Sequence, residues 1–247
     1  KERKIDVLLV AGDIFDGPNP SAESQRLYYS FLRRVTAECP ALQIIIIAGN
    51  HDSAARLEAP NPLLEEMNIT VRGVVKRDAD GDIDLAHLII PIYKRCRTSQ
   101  ADININDIAA FCLPFLICGK EIIRLPKTMR KVFRTSSYRQ LFAELKGMKA
   151  NLLLPWDIWQ ATGSEISDDD RSERTVIGGV EGISPDAFDA QIIYTALGHL
   201  HRPQRVSGRE TVRYSGAPIP MSFSEKGYRS SVVMVEYEED KTQIHQN

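Results

Sequence analysis

Three short, unbroken apolar runs, each closed by a glycine and then by polar residues, set the pattern of this chain. Val7-Leu8-Leu9-Val10-Ala11 leads into Gly12-Asp13, Ile44-Ile45-Ile46-Ile47-Ala48 into Gly49-Asn50-His51-Asp52, and Thr195-Ala196-Leu197 into Gly198-His199-Leu200-His201. Runs this short and continuous predict fully buried strands. Between the first two lies loop chemistry, Asp16-Gly17-Pro18-Asn19-Pro20-Ser21. Residues 22–38 then show helical spacing, with Leu27, Phe31, Leu32 and Val35 on one side. Strand, helix and strand in that order predict a βαβ unit with parallel strands over 6–11 and 43–48.

The pattern continues with a short helix over Pro60 to Met67, a strand at Ile69-Thr70-Val71, and a hairpin within 71–93 around Asp80-Gly81-Asp82. Phe111 to Phe115 reads as a strand and turn. Residues 128–149 read as an amphipathic helix with Val132, Leu141, Phe142 and Leu145 inward. Leu152-Leu153-Leu154 predicts a strand, and Ser164 to Arg174 an acidic loop around Asp168-Asp169-Asp170. Ile192 to Leu197 predicts another strand, followed by 211–215 and 231–237, the last two antiparallel in character. No repeat, low-complexity tract or clear linker divides the chain, so one α/β domain over 1–247 is the economical expectation.

Composition narrows the class without naming a function. The 247 residues are 43% hydrophobic and 26% charged, ordinary for a soluble globular protein. A net charge of −2 does not mark a nucleic-acid binder, but charge is unevenly distributed. Residues 118–150 hold nine Lys/Arg against Glu121 and Glu144, an excess of +7. Arg124, Lys127, Arg130, Lys131 and Arg134 in that segment suit either a DNA backbone or a solvated helix face. Four cysteines form no CxxC pair and no zinc spacing, in keeping with buried thiols in a reducing compartment. No apolar stretch approaches the roughly 20 residues of a transmembrane helix, and no signal peptide is visible. The expectation is a cytoplasmic protein without a membrane partner. The chain does not begin with Met and enters a core strand almost at once, which suggests that an N-terminal piece is absent.

The polar residues after the three runs carry the candidate chemistry. Open α/β sheets place ligands at the carboxyl ends of their strands. There Asp13 can bridge two divalent metals, or be a turn residue. Asn50 offers a carbonyl oxygen to a metal, or a turn amide. His51 can give a proton to a leaving oxygen or steady a charged transition state. Asp52 can orient that histidine or cap the next helix. His199 and His201 are two apart, which in extended chain sets both imidazoles on one side. A carboxylate, an amide oxygen and imidazoles, delivered by three strand ends, are the material of a two-metal phosphoesterase site.

This set of motifs resembles the calcineurin-like metallophosphoesterases, and within them the SbcD-type nucleases. The resemblance extends to Val10 through Asp16, Ala48 to Ser53, Cys112 to Leu116, Ser167 to Gly179, Ala196 to Arg202 and Tyr214-Ser215-Gly216-Ala217-Pro218-Ile219-Pro220-Met221-Ser222-Phe223. The last stretch is the most discriminating, because generic phosphatases do not share it. The resemblance implies a metallophosphoesterase-type β-sandwich flanked by helices. It implies two Mn²⁺ ions and hydrolysis of DNA phosphodiesters in repair, recombination and replication. Asp13 then matches the bridging carboxylate, Asn50 and His199 ligands of one metal, His201 a ligand of the other, and His51, with Asp52 beside it, the catalytic histidine. The partner implied is an SbcC-like, SMC-family ATPase, with a homodimer inside a heterotetramer.

The chain departs from that pattern in three places. The family's first strand ends in Asp-x-His, and this chain begins after it. A family histidine is missing after Leu152-Leu153-Leu154, where Pro155-Trp156-Asp157 stands and Asp157 is a possible substitute ligand or a plain surface residue. The C-terminal capping region is lacking too. Two other readings therefore stand beside the nuclease: another calcineurin-like phosphodiesterase or phosphatase, and a catalytically impaired fragment or scaffold that keeps the fold.

Overall fold

The computed structural model describes residues 5–77, 79–80, 84–92, 109–113, 151–155, 192–238 and 241–246. Its architecture follows from four consecutive isoleucines. Ile44 to Ile47 lie in β2 (Gln43–Ile47), and all four are buried, which requires cover on both faces of the sheet. β1 (Val7–Ala11) and β3 (Ile69–Arg72) flank β2, both parallel to it, in the order β1-β2-β3.

Successive side chains of a strand point to opposite faces. Ile44 and Ile46 pack with Leu32 of α1 (Ala22–Glu38), Leu57 of α2 (Ala54–Glu58) and Leu64 of α3 (Asn61–Leu64). Ile45 and Ile47 pack the other way, against Ile90, Ile193 and Tyr194. Those three come from a six-stranded sheet that also holds strands described by their backbone. After α4 (Leu85–Leu88) come β4 (Ile89–Pro91), β5 (Ala109–Leu113), β6 (Asn151–Pro155), β7 (Ile192–Leu197), β8 (Gln204–Val206) and β9 (Arg209–Tyr214). Their order is β4-β5-β6-β7-β9-β8. An antiparallel hairpin, β10 (Val233–Glu238) with β11 (Lys241–Gln246), adds Val233, Val235, Tyr237 and Ile244 to the core between the sheets. The result is a two-sheet α/β sandwich with helices on the outer face of the smaller sheet, the architecture that the sequence predicts.

The βαβ expectation holds: β1 and β2 are parallel, with Val7 opposite Gln43 and Ala11 opposite Ile47. α1 begins where Ser21 accepts a hydrogen bond from the Ser24 N–H at 3.0 Å, the usual N-cap arrangement. Its buried stripe differs from the one the spacing suggested. Leu32 is buried, with Tyr28, Tyr29 and Val35 packed around it, while Leu27 and Phe31 are 57% and 51% exposed. Each precedes an inward residue by one position, a rotation of roughly 100° around the helix.

Two other expectations change. β3 and β4 belong to different sheets. Around the expected turn at Asp80-Gly81-Asp82, of which 81–83 lie outside the described residues, the Asp84 N–H donates to Lys76 O at 2.9 Å, and the Asp84 carboxylate caps α4 by accepting from the His87 N–H at 3.1 Å. β9, at the expected 211–215 position, runs parallel to β7 and antiparallel to β8, a short strand that the apolar pattern did not reveal. The expected helix over 128–149, the acidic loop, Asp157, and Arg124, Lys127, Arg130, Lys131 and Arg134 lie outside the described residues. Among the described residues no helix is long and apolar enough to cross a membrane.

Candidate metal centre

The register of β1 and β2 brings their ends out together. Ala11 pairs with Ile47, so Gly12-Asp13 and Ala48 to Asp52 leave the sheet side by side. Asp13 Oδ1 accepts from the His51 backbone N–H at 3.0 Å. The approach is so close that a Cβ on Gly49 would stand 2.1 Å from Asp13 Oδ1 and 2.3 Å from its backbone nitrogen. Glycine is required at 49 by that contact. Gly12 serves by its backbone freedom, at φ 64°, and the chain also forces Asp13 to φ 43° and His199 to φ 82°. Non-glycine residues held in this region cost on the order of 1–3 kcal/mol each and cluster at functional sites.

Asp52 has a different task from those suggested for it. Its Oδ2 accepts from the backbone N–H groups of Ile14 (3.1 Å) and Gly49 (2.9 Å), and its Oδ1 from that of Phe15 (3.0 Å). It joins the exit of β1 to the exit of β2. Ser53 occupies the N-cap of α2. His51 is oriented by a main-chain carbonyl, with its Nδ1 3.0 Å from Asp16 O. A carbonyl only accepts, so Nδ1 carries the hydrogen and Nε2 is the nitrogen with a lone pair.

β7 delivers the third group. Its end carries His199, whose Nδ1 lies 3.2 Å from Asn50 Oδ1. The φ of His199 takes it out of the extended conformation, so strand periodicity does not align the two imidazoles. They are held separately: His201 Nδ1 is 2.7 Å from Glu225 Oε1. The field of His51, Asp52 and His201 reaches Asp13, and that of His201 and His51 reaches His199. Burial pushes the Asp13 carboxyl up to about 6, against the pull of the His51 N–H. Burial, with the neighbouring His201 and His51, pushes His199 down to about 4. His199 is thus held as the neutral imidazole, the form that ligates metals.

Asp13, Asn50, His199 and His201 fit a divalent cation in kind: one hard carboxylate, one carbonyl oxygen and two imidazoles. A half-buried carboxylate that resists ionisation is the group a nearby cation would relieve. Among the described residues, however, no three His, Cys, Asp or Glu side chains are grouped to hold a metal by themselves. A complete shell would therefore need Asn50 and further donors. Glu225 escaped the sequence reading; its one local signal was a carboxylate two residues past the Tyr214–Phe223 stretch. Arg202, Pro203, Gly227, Tyr228, Arg229 and Gln246 line an open hollow of about 460 Å³, with the Arg202 guanidinium 6.0 Å from the Tyr228 ring centre.

Comparison with known proteins bears out the resemblance drawn from the motifs. Residues 1–109 match the calcineurin-like phosphoesterases. SbcD proteins, named as components of the nuclease SbcCD, match nearly the whole chain: that of Rhodobacter capsulatus is 39% identical over 94% of this chain. That of Bacillus subtilis is 31% identical over 96%, and that of Escherichia coli 28% over 99%. The chain spans 57% of the length of the first two and 58% of the third.

Proposed function

From a chain that is similar to the calcineurin-like phosphoesterases along its first 109 residues, we propose a metal-dependent DNA nuclease of the SbcD type. It hydrolyses phosphodiester bonds during repair and recombination. The observation that carries this reading is the meeting of three strand ends: the His51 N–H on Asp13 (3.0 Å) and the His199 imidazole on Asn50 (3.2 Å). The likeness to proteins named as subunits of the nuclease SbcCD supports the choice of DNA as substrate and of an SbcC-like ATPase as partner.

Asp13, Asn50, His199 and His201 hold the cations, proposed as two Mn²⁺. When bound, such ions polarise phosphoryl oxygens and make a bound water more acidic. The rest of the work belongs to the protein. The neutral state of His199 keeps its ring ready as a ligand. The Asp16 carbonyl fixes the His51 ring and leaves Nε2 as the nitrogen that exchanges a proton with the leaving oxygen. Asp52 keeps Asp13 and His51 in register by tying their two loops together. Arg202 and Arg229 supply guanidinium groups, which suit phosphate, to the hollow that Pro203 and Tyr228 also line.

The full-length gene product, assayed with Mn²⁺ on linear duplex DNA and on a generic diester side by side, tests this. DNA cleavage is expected, abolished with metal loading in Asp13→Ala, and abolished with loading intact in His51→Ala. Cleavage of the generic diester alone points to another calcineurin-like hydrolase. Absence of both metal uptake and cleavage points to a scaffold.

A further inference from the structure

We propose that Glu225 is the positioning residue that fixes the tautomer of His201, leaving Nε2 of that ring as the metal-binding nitrogen. The inference rests on the reading of His201 as a ligand. It begins from a buried carboxyl group. Glu225 is 0% exposed, and carboxylates are almost never fully buried unless paired.

Both of its oxygens have donors. Oε1 lies 2.7 Å from His201 Nδ1, and Oε2 accepts from the Met221 backbone N–H at 2.8 Å. The backbone donor is invariant in direction, so Oε2 is an acceptor. An ionised carboxylate has no hydrogen to give, so Nδ1 must carry the hydrogen of the neutral ring. The lone pair then sits on Nε2. A carboxylate behind a ligating imidazole both orients the ring and raises its basicity.

The chain around Glu225 is built to hold this contact. Glu225 lies in a short 3-10 helix, Phe223–Gly227. The segment leading to it folds back on His201: the Ala217 N–H donates to His201 O at 3.0 Å. Gly216, at φ 81°, lies where a Cβ would be 2.7 Å from that same oxygen. Main chain and side chain of one segment therefore grip one histidine at two points. The discriminating Tyr214–Phe223 stretch acquires a physical role, as the segment that leads Glu225 to the ring.

Glu225→Gln separates this from a purely structural role. The amide keeps the shape but has one accepting oxygen. With the Met221 N–H holding that oxygen, the NH₂ faces Nδ1, which must then accept, and the ring switches to the Nε2–H tautomer. The experiment is ¹⁵N-histidine NMR of the full-length protein, with Mn²⁺ affinity measured alongside. In the metal-free wild type, His201 is expected as the Nδ1–H tautomer. In Glu225→Gln it is expected as Nε2–H, with affinity lower by about 10–100-fold and the thermal midpoint of a folded protein retained. A wild-type spectrum showing Nε2–H at His201 overturns the proposal, whether or not the variant folds. So does a variant that keeps Nδ1–H. A switched tautomer with unchanged affinity removes His201 from the ligand set, and failure of the wild type to bind Mn²⁺ at all removes the nuclease reading itself.

Discussion

At the scale of single residues, the site is a place where ordinary preferences are overruled. Asp13 and His199 sit at positive φ, and Asp13 is half-buried, which resists its ionisation. Gly49 makes the close approach of Asp13 possible. Gly49→Ala would thrust a methyl group to 2.1 Å from Asp13 Oδ1. The expected outcome is a loss of about 1–3 kcal/mol, typical of overpacking, together with weakened Mn²⁺ uptake, read by denaturant unfolding and calorimetric titration. A variant with wild-type metal affinity would show that Asp13 is free to move. Asp13, Asn50, His51, His199 and His201 were legible in the sequence as candidates because each closely follows an apolar strand. Glu225 was not, because its partner is 24 positions away and no local period links them.

At the scale of elements, loops are fixed by single side chains that reach across the sheet edge. Asp52 ties residues 38 positions apart by accepting from three backbone N–H groups. Removing it in Asp52→Ala should cost on the order of 3 kcal/mol, since orphaned N–H groups lose roughly 1 kcal/mol or more each. Asp52→Asn, with one accepting oxygen, should recover part of that. Equal stability of wild type and Asp52→Ala would refute the tie. At α4, the Arg72 side chain donates to His87 O at 2.8 Å, and Glu58 Oε1 stands 3.5 Å from His87 Nε2. Burial, then Arg72 and Lys76, hold the His87 imidazole below its usual 6.5, against the opposing pull of Glu58 and Asp84. A folded protein that resists protonating a histidine keeps that contribution above pH 6.5 and loses it as pH falls further, because the unfolded chain takes up the proton first. Urea midpoints measured from pH 7.5 down to 5 should therefore fall less steeply in His87→Leu than in wild type. Parallel curves would contradict the shift.

At the scale of the whole molecule, β2 is the shared wall between two cores. Ile45 is 0% exposed and faces the six-stranded sheet. Ile45→Ala should cost about 2–5 kcal/mol and loosen both sheets in one cooperative transition. Two separate transitions by circular dichroism and tyrosine fluorescence would mean the sheets fold independently. Cation binding acts at the same scale. A ligand that binds only the folded state adds about 2.7 kcal/mol at a hundred times its dissociation constant. Mn²⁺ should accordingly raise the unfolding midpoint of the wild type and leave that of Asp13→Ala unmoved.

By itself the sequence determined what depends on neighbours along the chain. Its continuous apolar runs specified strands, buried in β2 and half-buried in β1, and the strand–helix–strand order of 6–48 specified a parallel pair. The glycine-closed ends marked the candidate site residues. Only the tertiary structure decided what depends on neighbours in space: which sheet β4 joins, which face α1 turns inward, that Asp52 serves backbone rather than His51, and that Glu225 stands behind His201. Hydrophobic periodicity reports the environment of a residue relative to its own element. Hydrogen-bond partners across the fold are chosen by packing, and packing leaves no periodic trace in the chain.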